Sequence, residues 1–174
     1  MSDFTLYALP VARGTLALAG MPGRNETYDD DLALLAQWKP SLVISLVTRV
    51  EMVEVEALDL GADIQARGTR WVHMPIRDMS VPTAQQDVDW PGVASRALAA
   101  INGGGRVLVH CAAGCGRSGM LVLRLMIGAG EKPDVALARL RALRSCAIET
   151  EAQMEWALRP SSDAMGAEFV RHRG

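Results

Sequence analysis

Runs of β-branched and aliphatic residues alternate along the chain with stretches whose apolar positions recur every three or four residues, the pattern of strands alternating with helices. Phe4 to Leu9 and Thr15 to Ala19 read as two short strands around a Pro/Gly turn. Ser41 to Thr48 is the run richest in β-branched residues, and Thr69 to Pro75 and Arg106 to Val109 complete a set of about five strands. Thr27, followed three residues later by Asp30, is a capping arrangement that opens a helix to Trp38. Val50, Val53, Ala57 and Leu60 share one face of another. Trp90 to Asn102 makes a third helix, with Asp87 and Asp89 placed to cap it and Gly103-Gly104-Gly105 to stop it. The segment from Arg117 to Ile127 is apolar nearly all round, which predicts a helix running through the core. Pro133 opens the next, with Val135, Leu137, Leu140 and Leu143 among its apolar positions, and Glu149 to Leu158 forms the last. Connections of crossover length between these elements predict an α/β fold: a mostly parallel central sheet of about five strands, flanked by helices on both faces, with its site at the C-terminal strand ends. Residues 1–159 read as one domain, and residues 160–174, polar and without a period, as a C-terminal tail.

Composition narrows this picture without redirecting it. The chain has 174 residues, 49% of them hydrophobic, enough for one substantial core. A net charge of -2 offers no general attraction to nucleic acid or to an anionic membrane, so neither is expected as a partner, and a monomer is expected. Three cysteines, Cys111, Cys115 and Cys146, are too few and too unevenly placed for a disulfide framework, which fits a reducing compartment. The start lacks a positive n-region, and the longest apolar run is interrupted by Arg124; the expected location is cytoplasmic.

The chemistry concentrates between His110 and Gly119, read His-Cys-Ala-Ala-Gly-Cys-Gly-Arg-Ser-Gly, at a junction between strand and helix. Backbone N–H groups from Ala112, Ala113, Gly114, Cys115 and Gly116 to Arg117 can converge on one point there, and the helix that follows aims its positive dipole end at the same place. Arg117 adds a planar fork suited to two oxygens of a phosphoryl group. The same positive field favours the thiolate of Cys111, the form that attacks phosphorus. His110 precedes the nucleophile, points away from it in the strand pattern, and is expected to support the loop through hydrogen bonds. Besides it the chain has only His73 and His172, with no Cys/His spacing of a metal site, so neither a metal nor a cofactor is expected.

This loop resembles the signature His-Cys-x-x-Gly-x-x-Arg-Ser/Thr-Gly of the cysteine-based protein tyrosine and dual-specificity phosphatases at every fixed position. Pro75-Ile76-Arg77-Asp78-Met79-Ser80-Val81-Pro82 is similar to that family's general-acid loop, and Ala147-Ile148-Glu149-Thr150-Glu151-Ala152-Gln153 to its glutamine-bearing loop. Leu-Ala-Gly-Met-Pro-Gly at 18–23 resembles the opening of small members of the cyclin-dependent-kinase-associated type. The resemblance, over roughly residues 15–158, implies phosphate monoester hydrolysis through a cysteinyl-phosphate. In that scheme Cys111 is the nucleophile, Arg117 and the loop amides hold the phosphate, and Asp78 is the acid. Ser118 would steady the sulfur as a leaving group, and Gln153 would aim a water.

Two positions depart from the family pattern. Cys115 lies inside the loop, where it reads as a small pocket-lining hydrophobe, and Cys146, where the family often has glycine, reads as a structural cysteine; as redox partners, either thiol would trap oxidised Cys111 as a disulfide. The variable loop positions Ala112, Ala113 and Cys115 carry no charge, whereas polyphosphorylated inositols or RNA triphosphate ends require more cations than Arg117 alone. A phosphoprotein or a small aryl phosphate is therefore the expected substrate. An arsenate-reductase-like thiol oxidoreductase and a phosphoprotein-binding pseudo-phosphatase are the competing functions.

Overall fold

The computed structural model describes residues 2–160, so the expected tail lies almost wholly outside the described residues. A five-stranded sheet is formed by β1 (Tyr7–Val11), β2 (Gly14–Ala19), β3 (Leu42–Ser45), β4 (Arg70–His73) and β5 (Arg106–His110), in the order β1-β2-β5-β3-β4. Only the β1 to β2 pairing is antiparallel; β2 with β5, β5 with β3 and β3 with β4 are parallel. The helices are α1 (Tyr28–Trp38), α2 (Arg49–Glu54), α3 (Leu60–Ala66), α4 (Ala84–Asn102), α5 (Gly116–Gly128), α6 (Pro133–Leu143) and α7 (Glu151–Leu158).

Side-chain alternation divides the core in two. Leu16, Leu18, Leu42, Ile44, Val107 and Val109 face one side of the sheet and pack with residues of α4, α5, α6 and α7. Their strand neighbours Ala17, Ala19, Val43 and Leu108 face the other side, against α1, α2 and α3. The α/β class, the mostly parallel sheet and the helices on both faces are therefore as the sequence predicts. Helix α5 is buried on nearly every side, which fixes the loop that precedes it.

Several boundaries differ from expectation for local reasons. Strand β1 runs later than Phe4 to Leu9, because Val11 pairs with Gly14 across a two-residue turn; Pro10 is tolerated because β1 is an edge strand. Strands β3 and β4 are shorter than their apolar runs. Thr27 precedes α1, but its hydroxyl donates to Asp31 and accepts from none of the helix amides, so the expected cap is not made. Val50, Val53, Ala57 and Leu60 do not share a helix face: the chain breaks after α2, with Glu56 at φ 54, and Val50 and Val53 are exposed while Met52 is buried. Helix α4 starts six residues ahead of Trp90, at a capping box between Thr83 and Gln86, and carries Pro91 within it. Asp87 and Asp89 thus lie inside the helix and do not cap it; Asp87 accepts from Trp156 Nε1 and pairs with Arg159. Helix α7 starts two residues later than expected, behind a Thr150–Gln153 capping box.

The four parallel strands end on one edge of the sheet, so the segments after β2, β3, β4 and β5 gather there. They carry Gly20, Glu51, Asp78 and Cys111 respectively. Among the described residues no helix is long and apolar enough to cross a membrane.

Candidate active site

Strand β5, central in the sheet, delivers His110 and Cys111 to this edge. His110 is fully buried, and both of its ring nitrogens have partners. Trp71 Nε1 donates to Ser45 Oγ at 2.8 Å, Ser45 Oγ lies 2.5 Å from His110 Nε2, and His110 Nδ1 lies 3.3 Å from the Cys111 carbonyl. The Cys111 carbonyl calls for a proton on Nδ1, and the Ser45 hydroxyl, accepting from Trp71, is then free to donate to Nε2 of a neutral imidazole. Burial pushes the His110 pKa down to about 4.

The loop from Cys111 to Gly116 turns back on itself at Gly114, whose φ is 71 and where a Cβ would sit 2.6 Å from the Ala19 carbonyl carbon. Among the described residues, the amides of Ala112, Ala113, Gly114 and Cys115 have no protein acceptor. The Gly116 amide donates to Glu149 Oε1 at 2.8 Å. Cys111 is buried, with its Sγ 3.3 Å from Ser118 Oγ on the first turn of α5.

Arg117 is only 2% exposed and spends its end-on face on Glu51: Nη1 donates to Oε2 at 2.9 Å and Nη2 to Oε1 at 2.7 Å. Nη1 also donates to the Ile76 carbonyl at 2.8 Å. The Nε–H and the second Nη2 hydrogen lie on the other edge of the guanidinium, the edge that accepts two oxygens of a tetrahedral anion side-on. Burial alone would lower the Arg117 pKa, but the hydrogen bonds to Glu51 together with the charges of Cys111, Glu51 and Asp78 hold the group above its ordinary value. Burial would raise Glu51, and Arg117 together with the Thr48 amide holds it below the usual carboxylate range.

Asp78 follows β4 and places Oδ1 3.4 Å from Arg117 Nη2, with the side chain 69% exposed. The same oxygen accepts from the Met79 amide at 2.9 Å, so the turn bond and the approach to the site coexist. Gln153 is fully buried and committed at both ends of its amide. Oε1 accepts from the Glu149 and Thr150 amides, and Nε2 donates to the Ser80 carbonyl at 3.2 Å, tying α7 to the Asp78 loop.

A loop with its amides inward turns its carbonyls outward, and these have donors. Ala112 O accepts from Met21 N and Arg24, Ala113 O and Gly114 O accept from Arg144, and Cys115 O accepts from Ile148 N. On this outer side Cys115 and Cys146 form a disulfide, with a Cα to Cα distance of 5.2 Å, leaving Cys111 as the free cysteine. This corrects the reading of Cys115, which is neither a pocket-lining hydrophobe nor a free trap for Cys111, while Cys146 is a structural cysteine with Cys115 as its partner. One disulfide among three cysteines is not a framework, but it removes the support that cysteine usage lent to a reducing compartment. The sequence offered no way to see that α6 returns Cys146 to the loop.

Sequence reasoning missed Glu51, Glu149 and Arg144. Thr48 with Glu51 three residues later is a capping-box pattern, and that box is formed. The pattern marks the helix start but not the second use of the carboxylate on Arg117.

The chain was compared with known proteins. A family model described as a polymorphic toxin system DSP-PTPase phosphatase (Tc-R-P) matches residues 17–131. Among solved structures the chain is similar to kinase-associated phosphatase with its catalytic-site cysteine replaced by serine, at TM-score 0.81 and 20% identity over 99% of each chain. It is similar to Tk-PTP in the active form, at TM-score 0.65 and 30% identity over 81% of this chain and 87% of that one. It is also similar to PTPMT1 in complex with PI(5)P, at TM-score 0.68 and 19% identity over 97% and 99%. No curated protein sequence matches.

Two predictions follow from the geometry around the loop. Because His110 is held below its ordinary value, the unfolded chain takes up the proton first as pH falls. Its contribution to stability is whole above about pH 6.5 and is lost toward pH 4, at about 1.4 kcal/mol per unit. In urea denaturation His110→Asn should flatten that slope between about pH 6.5 and 4.5, and an unchanged slope would assign it to other groups. The disulfide closes a loop across a sequence separation of 31, so Cys146→Ser should cost about 2–4 kcal/mol without reductant. Added dithiothreitol should bring the wild type down to the variant; equal midpoints throughout would show that the bond does not form.

Proposed function

The chain belongs to the dual-specificity type of the protein tyrosine phosphatase family, and from that premise we propose that it hydrolyses phosphate monoesters through a phosphoenzyme on Cys111. The observation that carries this reading is the Cys111 sulfur at the head of a loop in which four amides have no protein acceptor among the described residues, with the Nε–H of Arg117 left without a protein partner and Asp78 3.4 Å from its Nη2. A phosphoryl dianion seated there receives from backbone and guanidinium the charge neutralisation its transition state needs. Cys111 attacks phosphorus as the P–O bond to the leaving group breaks, and Asp78, exposed at the rim, gives that oxygen its proton. Water then attacks the cysteinyl-phosphate, and the departing sulfur accepts a hydrogen bond from Ser118, 3.3 Å away. Gln153 contributes by holding the Asp78 loop through Ser80; aiming a water would require one of its present bonds to open.

The substrate class follows from what lines the loop. Ala112, Ala113 and Cys115 are uncharged, so the cradle has Arg117 as its own cation, matched to a single phosphoryl group on a protein or an aryl alcohol. The phosphoinositide bound to PTPMT1 carries further charge for which this loop has no added cation. One observation favours the arsenate-reductase-like reading: the Cys115–Cys146 bond beside a free Cys111. Against it, Cys115 Sγ lies 3.5 Å from Arg144 Nη2, on the carbonyl side of the loop, away from the converging amides.

Wild-type protein should release aryl alcohol and inorganic phosphate from an aryl phosphate in the presence of a chelator, and Cys111→Ser should turn over negligibly. Retention of more than about a tenth of kcat, a barrier change under ~1.4 kcal/mol, would remove Cys111 as nucleophile. A wild type that binds a phosphopeptide without turnover would be the pseudo-phosphatase. Asp78→Asn should lose about 10²–10⁴-fold with poorly departing alcohols and much less with an easily expelled aryl oxide. Equal losses on both would make Asp78 structural.

A further inference from the structure

We propose that Glu149 is a built-in competitor for the phosphate cradle, its carboxylate holding the Gly116 amide that a phosphoryl oxygen takes when substrate binds. The inference rests on the phosphatase reading of the Cys111 loop. Of the loop amides from Ala112 to Gly116, Gly116 is the member with a protein acceptor among the described residues, and that acceptor is Glu149 Oε1 at 2.8 Å. The contact depends on glycine, since a Cβ at 116 would meet the same oxygen at 2.5 Å.

The carboxylate is delivered by a segment that the structure over-determines. Ile148, buried and β-branched, stands at φ 67, a backbone conformation such residues seldom adopt. It is held there from both sides: its amide donates to Cys115 O at 3.3 Å, and Arg141 donates to the carbonyls of Ala147 and Ile148. The Glu149 amide donates to Gln153 Oε1 at 2.9 Å, and the disulfide ties Cys146, three residues upstream, to Cys115. Strain maintained by this many bonds has the effect of returning an exposed carboxylate to the loop. Among the described residues Glu149 has no lysine or arginine partner, so it answers to the loop amide.

One amide cannot serve a carboxylate and a phosphoryl oxygen together, and two anions brought to the same N–H repel. The Glu149 contact therefore stabilises the free enzyme and is lost in the complex. Such a contact raises KM and the dissociation constant of released phosphate alike, and leaves the barrier from the bound complex unaffected.

The test is Glu149→Gln, close to isosteric and lacking the charge, with Glu149→Ala as a second variant and thermal melts to show that both fold. Tungstate binding, titrated calorimetrically in the Cys111→Ser background, should tighten by roughly tenfold on Glu149→Gln. In the active chain, KM for an aryl phosphate and the inhibition constant of inorganic phosphate should fall by a similar factor, with kcat changed by less than about twofold. Tungstate affinity within about twofold of the parent for both variants overturns the proposal. A fall in kcat with accumulated phosphoenzyme also overturns it, making Glu149 a participant in the chemistry. Tungstate that fails to bind any of these proteins removes the phosphate-cradle reading itself, and the competitor with it.

Discussion

A guanidinium that is 2% exposed has to be neutralised where it stands, and much of the active-site architecture follows from doing so for Arg117 without using it up. Glu51 meets the end-on face, and the Ile76 carbonyl takes the remaining Nη1 hydrogen. A counter-ion on the other edge would satisfy the charge equally well and abolish the site. Glu51 is kept to its side by being the third residue of α2, where Oε2 also accepts from the Thr48 amide. A helix cap that forms for local reasons thereby sets the orientation of a group 66 positions away.

The loop poses a second requirement, because amides that converge inward leave carbonyls that diverge outward and must be paired. Arg144 answers for Ala113 and Gly114, Arg24 and Met21 for Ala112, and Ile148 for Cys115. The disulfide joins the same outer surface. Rigidity of the cradle thus comes from two sides: α5, buried on nearly every side, anchors its C-terminal end, and a layer of cationic side chains and one covalent bond supports its back. Arg144 is itself steadied by the ring of Tyr7, 4.4 Å from its Cζ, so even the edge strand takes part.

What the sequence disclosed and what it withheld divide along this line. The inner face is encoded within ten contiguous residues whose spacing is set by the geometry of one turn, so Cys111, Gly114 and Arg117 can be read directly. The parallel sheet was legible because both of its faces are buried and its strands are apolar runs. The outer layer is not contiguous: Glu51, Arg144 and Glu149 reach the loop from three other segments, and an arginine or glutamate on a helix or in a connecting segment has the same appearance whether it meets water or a carbonyl. Misread boundaries have the same origin. Val50 and Val53 fit a helical period that Glu56 interrupts, and the helix through Trp90 reads as beginning too late because Asp87 and Asp89 ahead of it fit a cap and mask the one at Thr83.

Three carboxylates surround this cationic centre, and their unequal burial orders what each can do. Glu51, 20% exposed and bonded to both Arg117 and Thr48, would have to give up several charge-assisted bonds to leave, so it stays when an anion arrives. Asp78, 69% exposed, approaches Arg117 at one oxygen and 3.4 Å, a weak attachment that in the proposed reaction would leave the group free to meet a leaving-group oxygen. Glu149, also exposed, holds a neutral amide and not a cation, and would have the least to lose if a dianion claimed that N–H, as proposed. On the proposed reading an arriving substrate dianion would therefore displace Asp78 and Glu149 before Glu51, the carboxylate that keeps Arg117 aimed.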